Sequence, residues 1–102
     1  MKRNDTSPAF EVDCLRNDAS PAFVPGSDTV TFHMRNITTK VVKVDAAATI
    51  VDADTLRYTW SAANTDTAAV YECEFEVTRS TGEVETYPGD RWIPFEIVED
   101  IA

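Results

Sequence analysis

A single histidine, two cysteines and one run of alternating glutamates are the side chains of this sequence best suited to chemistry. His33 stands between Phe32 and Met34 on the polar side of an alternating run, and reads as a solvated surface histidine. Cys14 and Cys73 match no metal-ligand spacing and form no Cys-x-x-Cys pair. Both fall on the apolar sides of their segments. They are expected near one another in the core as buried thiols, with a disulfide formed later outside the cell as the alternative. Glu72, Glu74 and Glu76 are the most distinctive charge pattern. Alternate residues of a strand lie about 7 Å apart on one face, too far for two carboxylates to share a proton. Such a stripe could meet a basic protein or hold a calcium ion, but the favoured reading is a strand face kept soluble in water. With only three glycines there is no Gly-rich phosphate loop, and no nucleophile elbow appears. The expectation is therefore no enzyme, no catalytic residue, no metal and no cofactor.

The elements that would position these side chains are strands. Apolar residues alternate at Val30, Phe32 and Met34, at Leu56, Tyr58 and Trp60, and at Tyr71, Cys73, Phe75 and Val77. The same pattern recurs at Phe10, Val12 and Cys14 and at Ile93, Phe95 and Ile97. Lys40–Val44 and Ala48–Val51 are short apolar runs, and Ser61–Ala69 suits one helical turn. Turn chemistry falls between the runs, in Val24–Asp28, Arg35–Thr39, Val51–Thr55 and Tyr87–Asp90. Arg79–Glu83 closes a hairpin with Gly82 at the left-handed position. About seven short, one-sided strands predict an all-β, immunoglobulin-like antiparallel β-sandwich. The predicted core is Phe10, Val12, Cys14, Val30, Phe32, Tyr58, Tyr71, Cys73, Phe75, Val77, Ile93 and Phe95.

One hundred and two residues with 43% hydrophobic content can build one modest core without staples. Residues 1–8 are read as an N-terminal arm and 9–102 as the single sandwich domain. A net charge of −9 repels nucleic acids and anionic membranes, so neither is an expected partner. A protein or a saccharide fits better. No apolar run nears the roughly 18 residues of a membrane span. MKRNDTSP carries no following apolar stretch, so no secretion signal is predicted and synthesis in a reducing cytoplasm is expected. The glycosylation patterns at Asn4 and Asn36 then read as chance matches.

RNDTSPAF, Arg3–Phe10, returns almost unchanged as RNDASPAF, Arg16–Phe23. Thirteen residues present twice cannot stack a solenoid core. Each copy reads as a turn leading into an extended step, because proline forces the preceding serine out of the helical region. The favoured reading is local similarity or a small duplication; the sharper one is that both copies meet the same partner surface. Lys2 and Arg3 of the basic arm, and Asn17, Asp18, Pro21 and Phe23 of the second copy, are candidate contacts. Arg91 and Trp92 join them, because Trp92 alternates away from Ile93, Phe95 and Ile97, and an outward Trp beside an Arg is common at interfaces. For each of these the bland alternatives are a frayed terminus, a solvated loop, or a Trp closing the end of the core.

TDTAAVYEC resembles the end of an immunoglobulin domain, where a Tyr precedes a core Cys by two residues. That resemblance implies a corner tied down by Tyr71. Trp60 departs from the antibody-type pattern, lying before Cys73 rather than shortly after the first Cys. Across nearly the whole chain, the succession of Thr29–Arg35, Tyr58–Trp60, Asp66–Tyr71, Glu74–Val77 and Glu85–Pro88 resembles a small β-sandwich of tailed-bacteriophage structural proteins, typified by the N-terminal domain of the baseplate upper protein. RNDASPAF is not an element of that pattern and reads as extra sequence between the first two strands. The resemblance implies a virion component made in the host bacterial cytoplasm, docking on capsid, tail or baseplate subunits in a symmetric assembly. It would serve either as a tail or baseplate component or as a capsid decoration (cement) protein. An immunoglobulin-like module that binds a surface saccharide is the alternative.

Overall fold

The fold is organised by its two longest strands, β2 (Thr29–Asn36) and β6 (Ala69–Thr78), which pair antiparallel from Thr29↔Thr78 to Asn36↔Tyr71. That register sets Val30 against Val77, Phe32 against Phe75 and Met34 against Cys73 on one face, where every one of them is buried. A slip by one residue would turn all six to solvent, so the alternation and the register enforce each other. The computed structural model describes residues 1–14, 22–89 and 91–99.

β3 (Val42–Ala47) covers one side of β2, while β7 (Val84–Tyr87) and β8 (Ile93–Ile97) share the far side of β6. β7 pairs with Phe75–Thr78 and β8 with Ala69–Cys73. The second sheet runs β1 (Phe10–Asp13), β5 (Thr55–Tyr58), β4 (Thr49–Ile50). All ladders of the two sheets are antiparallel, and the inner faces pack together as an all-β sandwich of immunoglobulin-like character. Eight strands are present among the described residues, in keeping with the expected sandwich of about seven. The extra one is β7, whose Val-Glu-Thr-Tyr carries no apolar alternation and is held by its ladder to β6. A single 3-10 turn spans Ala62–Asn64.

Aromatic rings fill the space between the sheets. Phe32 stacks on Tyr58 at 4.5 Å and Trp60 on Phe95 at 5.2 Å. Phe10 touches Phe32, Trp60, Phe75 and Phe95 at 5.3 to 6.0 Å, tying β1 to both sheets. Val30, Phe32, Tyr58, Tyr71, Cys73, Phe75 and Val77 of the predicted core are buried. Phe10, Val12, Cys14, Ile93 and Phe95 pack on that core while partly exposed, because β1 and β8 are edge strands. Phe23, Met34, Val44, Leu56, Trp60 and Ile97 complete it. The Tyr71 hydroxyl donates to the Thr67 carbonyl at 2.7 Å, four residues upstream, which is the geometry of a tyrosine corner. Gly82 takes φ +93° in the β6–β7 hairpin, with Arg79 N–H donating to the Glu83 carbonyl at 2.7 Å.

Residues 1–5 do not stand apart as an arm. Lys2 bridges Val98 in parallel; Val98 N–H donates to the Met1 carbonyl and Arg3 N–H to the Val98 carbonyl, each at 2.8 Å. Asn4 N–H then reaches the Thr65 carbonyl, and the buried Thr65 hydroxyl returns a bond to the Asp5 carbonyl, both at 2.8 Å. The segment is a strap across one end of the sandwich.

Candidate functional site

The outward face of the five-stranded sheet carries His33 and the glutamate stripe singled out for chemistry. Thr31, His33 and Arg35 of β2 lie opposite Glu76, Glu74 and Glu72 of β6. A groove of about 390 Å³ crosses this face, lined by His33, Met34, Arg35, Val42, Asp45, Glu72, Glu74 and Trp92. It runs from β3 across β2 and β6 to the residue preceding β8.

Each acidic side chain of the stripe meets a different environment. Glu72 accepts from Arg35 Nε at 2.5 Å and Lys40 Nζ at 3.1 Å, and its side chain is only 7% exposed. Burial alone would raise this carboxyl; the bonds from Lys40 and Arg35 outweigh it and hold Glu72 below the usual carboxylate range. Lys40 reaches in from the β2–β3 turn, where it holds φ +62° and Asn36 Oδ1 accepts from the Thr38 and Thr39 N–H groups. Glu74 lies 3.2 Å from His33 Nδ1, and Asp45 of β3 lies 3.3 Å from His33 Nε2. His33 is therefore not simply solvated: it is a half-buried bridge between two carboxylates on neighbouring strands. Glu76, half-buried, forms no ion pair among the described residues.

Trp92 owes its position to a break in the sheet edge. β7 ends on the pair Phe75↔Tyr87 and β8 begins on Cys73↔Ile93, so the pairing along β6 is interrupted at Glu74. Alternation from Ile93, whose side chain packs inward, turns Trp92 to the outer face. Here Trp92 is swung out over the face, 47% exposed, with the Arg35 guanidinium 4.5 Å from its ring centroid. Val42, 60% exposed, stands at the opposite end of the groove. Arg91 is exposed beside Trp92.

The other candidate contacts are placed differently. Asn17, Asp18 and Pro21 lie outside the described residues. Phe23 is not on the surface: it is 2% exposed, set edge-on to Tyr87 at 5.3 Å and covered by the Arg79 guanidinium 5.0 Å from its ring. Arg79 also donates to Asp28 Oδ2 at 3.0 Å, to Glu85 Oε1 at 2.9 Å and to the Ala22 carbonyl at 3.1 Å. Asp28 in turn accepts from the backbone N–H groups of Val24 and Ser80, and Tyr87 donates to Glu85. This clasp closes the end of the core and withdraws Phe23 from any partner. Lys2 is exposed on the N-terminal strap, and Arg3 pairs with Glu99 at 3.2 Å.

Sequence reasoning missed the part played by Val42, Arg35 and Lys40. The signal was the doublet Val41-Val42, which alternation cannot bury on both sides and which leaves both exposed. For covalent chemistry the face offers little. The Cys73 thiol lies on the inner face, fully buried, and burial with the nearby Glu72 charge pushes it up to about 12. Among the described residues no three His, Cys, Asp or Glu side chains converge as metal ligands. What the groove can do is bind: it combines an exposed indole, an exposed valine and a fixed array of charges. Compared with known protein families, curated proteins and solved structures, the chain has no match in any of the three.

Proposed function

We propose that this chain is a non-enzymatic structural protein of a tailed-phage virion that docks on a larger subunit through the outer face of its five-stranded sheet. The resemblance of its strand motifs to the phage sandwich family supplies the particle. The observation that supports docking is Trp92, held out over Arg35 by the break between β7 and β8. Exposed aromatic and Arg side chains on a rigid sheet are the usual anchors of protein interfaces. Two places in the particle fit: a tail or baseplate ring, and the capsid surface as a decoration protein. The saccharide-binding alternative needs exposed aromatics grouped on one face, and Trp92 is the only large aromatic exposed among the described residues.

Quantitative peptide mass spectrometry on purified particles tests this reading. Hundreds of copies per particle would make the chain a shell decoration protein, and a handful would place it in the tail or baseplate. Complete absence from particles would overturn the reading.

A further inference from the structure

The charges on the groove face do not balance. Arg35 and Lys40 are both committed to Glu72. One imidazole serves both Glu74 and Asp45. Glu76 has no cation at all among the described residues, and Asp45 is 68% exposed. The excess is negative: Asp45 and Glu74 sit between two apolar ends, Val42 and Trp92, and Glu76 flanks the groove on the same face of β6. The groove crosses three strand spacings of about 4.8 Å, roughly 14 Å, which is the length of about four extended residues.

Resting on the docking role proposed above, we infer that the groove takes a short, extended, basic segment of the partner protein. An apolar side chain would seat against Trp92 or Val42, and Lys or Arg heads would meet Asp45, Glu74 and Glu76. A second copy of this chain is a poor occupant, because each copy carries a net charge of −9 and the face is already acidic.

The test uses the full chain and a defined probe: the capped hexapeptide acetyl-VSRSKS-amide, whose Val, Arg and Lys share one face when extended, with acetyl-VSESES-amide as its charge reversal. Binding is followed by titration calorimetry and by amide chemical shifts of the labelled protein. The basic peptide should bind, with shifts confined to β2, β3, β6 and Trp92, and the acidic peptide should not. The double variant Asp45→Asn/Glu74→Gln should weaken binding about five- to tenfold, and Trp92→Ala about tenfold. A charge-matched control, Glu11→Gln/Glu83→Gln, removes two charges away from the groove and should leave affinity within about twofold. Equal weakening by the control would overturn the inference, because it would reduce binding to nonspecific attraction. So would equal binding of the acidic peptide. Self-association lost in Trp92→Ala, or glycan binding lost in Trp92→Ala, would overturn it in favour of those occupants.

Particle content separates this inference from the function on which it rests. Wild-type chain absent from particles defeats the function while the peptide titration still decides the groove. Wild-type chain present, with the groove variants incorporated equally well, defeats the groove alone.

Discussion

Replacing Arg79 with methionine tests the clasp that closes the end of the core. Methionine keeps the apolar stem over Phe23 and deletes the guanidinium fork. The side chains of Arg79 and Asp28 are 6% and 4% exposed, so the change leaves a carboxylate buried with two backbone N–H donors and no counter-charge. Breaking one side of a buried ion pair costs about 3–5 kcal/mol. With an m-value of about 2 kcal/mol/M in urea, the unfolding midpoint should fall by about 2 M. The pH dependence identifies the cause. Asp28 is held low by the Val24 N–H first, against its burial, and then by Ser80 and Arg79; Glu85 is held low by Arg79 and then Tyr87. Depressed carboxyls stabilise the fold above their unfolded values, about 3.9 and 4.3, and that contribution is lost as the pH falls through the folded values. The variant has less of it to lose. The gap between the two proteins should therefore be widest near neutrality and narrow below about pH 4. Urea melts from pH 7 down to pH 3 check this. A loss under about 1 kcal/mol at pH 7, or a gap that stays constant on acidification, refutes the reasoning.

Three further outcomes follow from the same geometry. Phe75→Ala, at a fully buried ring in contact with Phe10 and Phe32, should cost about 3–5 kcal/mol in chemical denaturation; a loss below about 1 kcal/mol would mean that β6 presents its other face to the core. Deleting residues 1–5 removes the strap's hydrogen bonds to Val98 and Thr65 and should cost about 2–4 kcal/mol, lowering the thermal midpoint by about 10–20 °C; an unchanged midpoint would make the strap energetically idle. In a Cys14→Ser background, Cys73 should resist an aromatic disulfide reagent at pH 8, because burial holds its thiol up near 12, and should react only as fast as the fold opens; rapid stoichiometric labelling would place it at the surface.

Alternation made the sheet faces legible, because a strand with one buried side must repeat every two residues. Val30, Phe32, Tyr71, Cys73, Phe75 and Val77 could be assigned that way with no knowledge of their partners. Tyr71 could also be placed at a corner, since the cue was its spacing from Cys73. What alternation does not encode is the contact between distant loops. Phe23 sits in the short segment Ala-Phe-Val-Pro-Gly, which has no period to read, and its burial depends on Arg79 and Tyr87 from the β6–β7 hairpin. The N-terminal strap was hidden for the same reason: apart from the Arg3–Glu99 pair it is held through its own backbone groups, which are indifferent to side-chain type, so a basic, polar sequence gave no sign of them. The His33 bridge required knowing that β3 brings Asp45 and β6 brings Glu74 to the two sides of one ring.

The groove is the place where this chain departs most from what stability alone would choose. A continuous last strand would have paired along all of β6; instead the pairing stops at Tyr87 and resumes at Ile93, leaving a gap at Glu74. A soluble sheet face would carry a polar residue there; instead it holds Trp92 out, 47% exposed. A self-contained charge array would balance; instead Glu76 lacks a cation among the described residues and His33 is divided between two carboxylates. Lys40 adds a fourth departure, a non-glycine residue at positive φ whose side chain reaches Glu72. Each of these costs something in the isolated domain, and together they occupy one face. Local rules broken in concert are expected at binding surfaces, where a partner supplies what the free chain lacks. Here the missing parts are an apolar side chain against the indole and positive charge between the strands, which is the chemistry assigned to the docking segment.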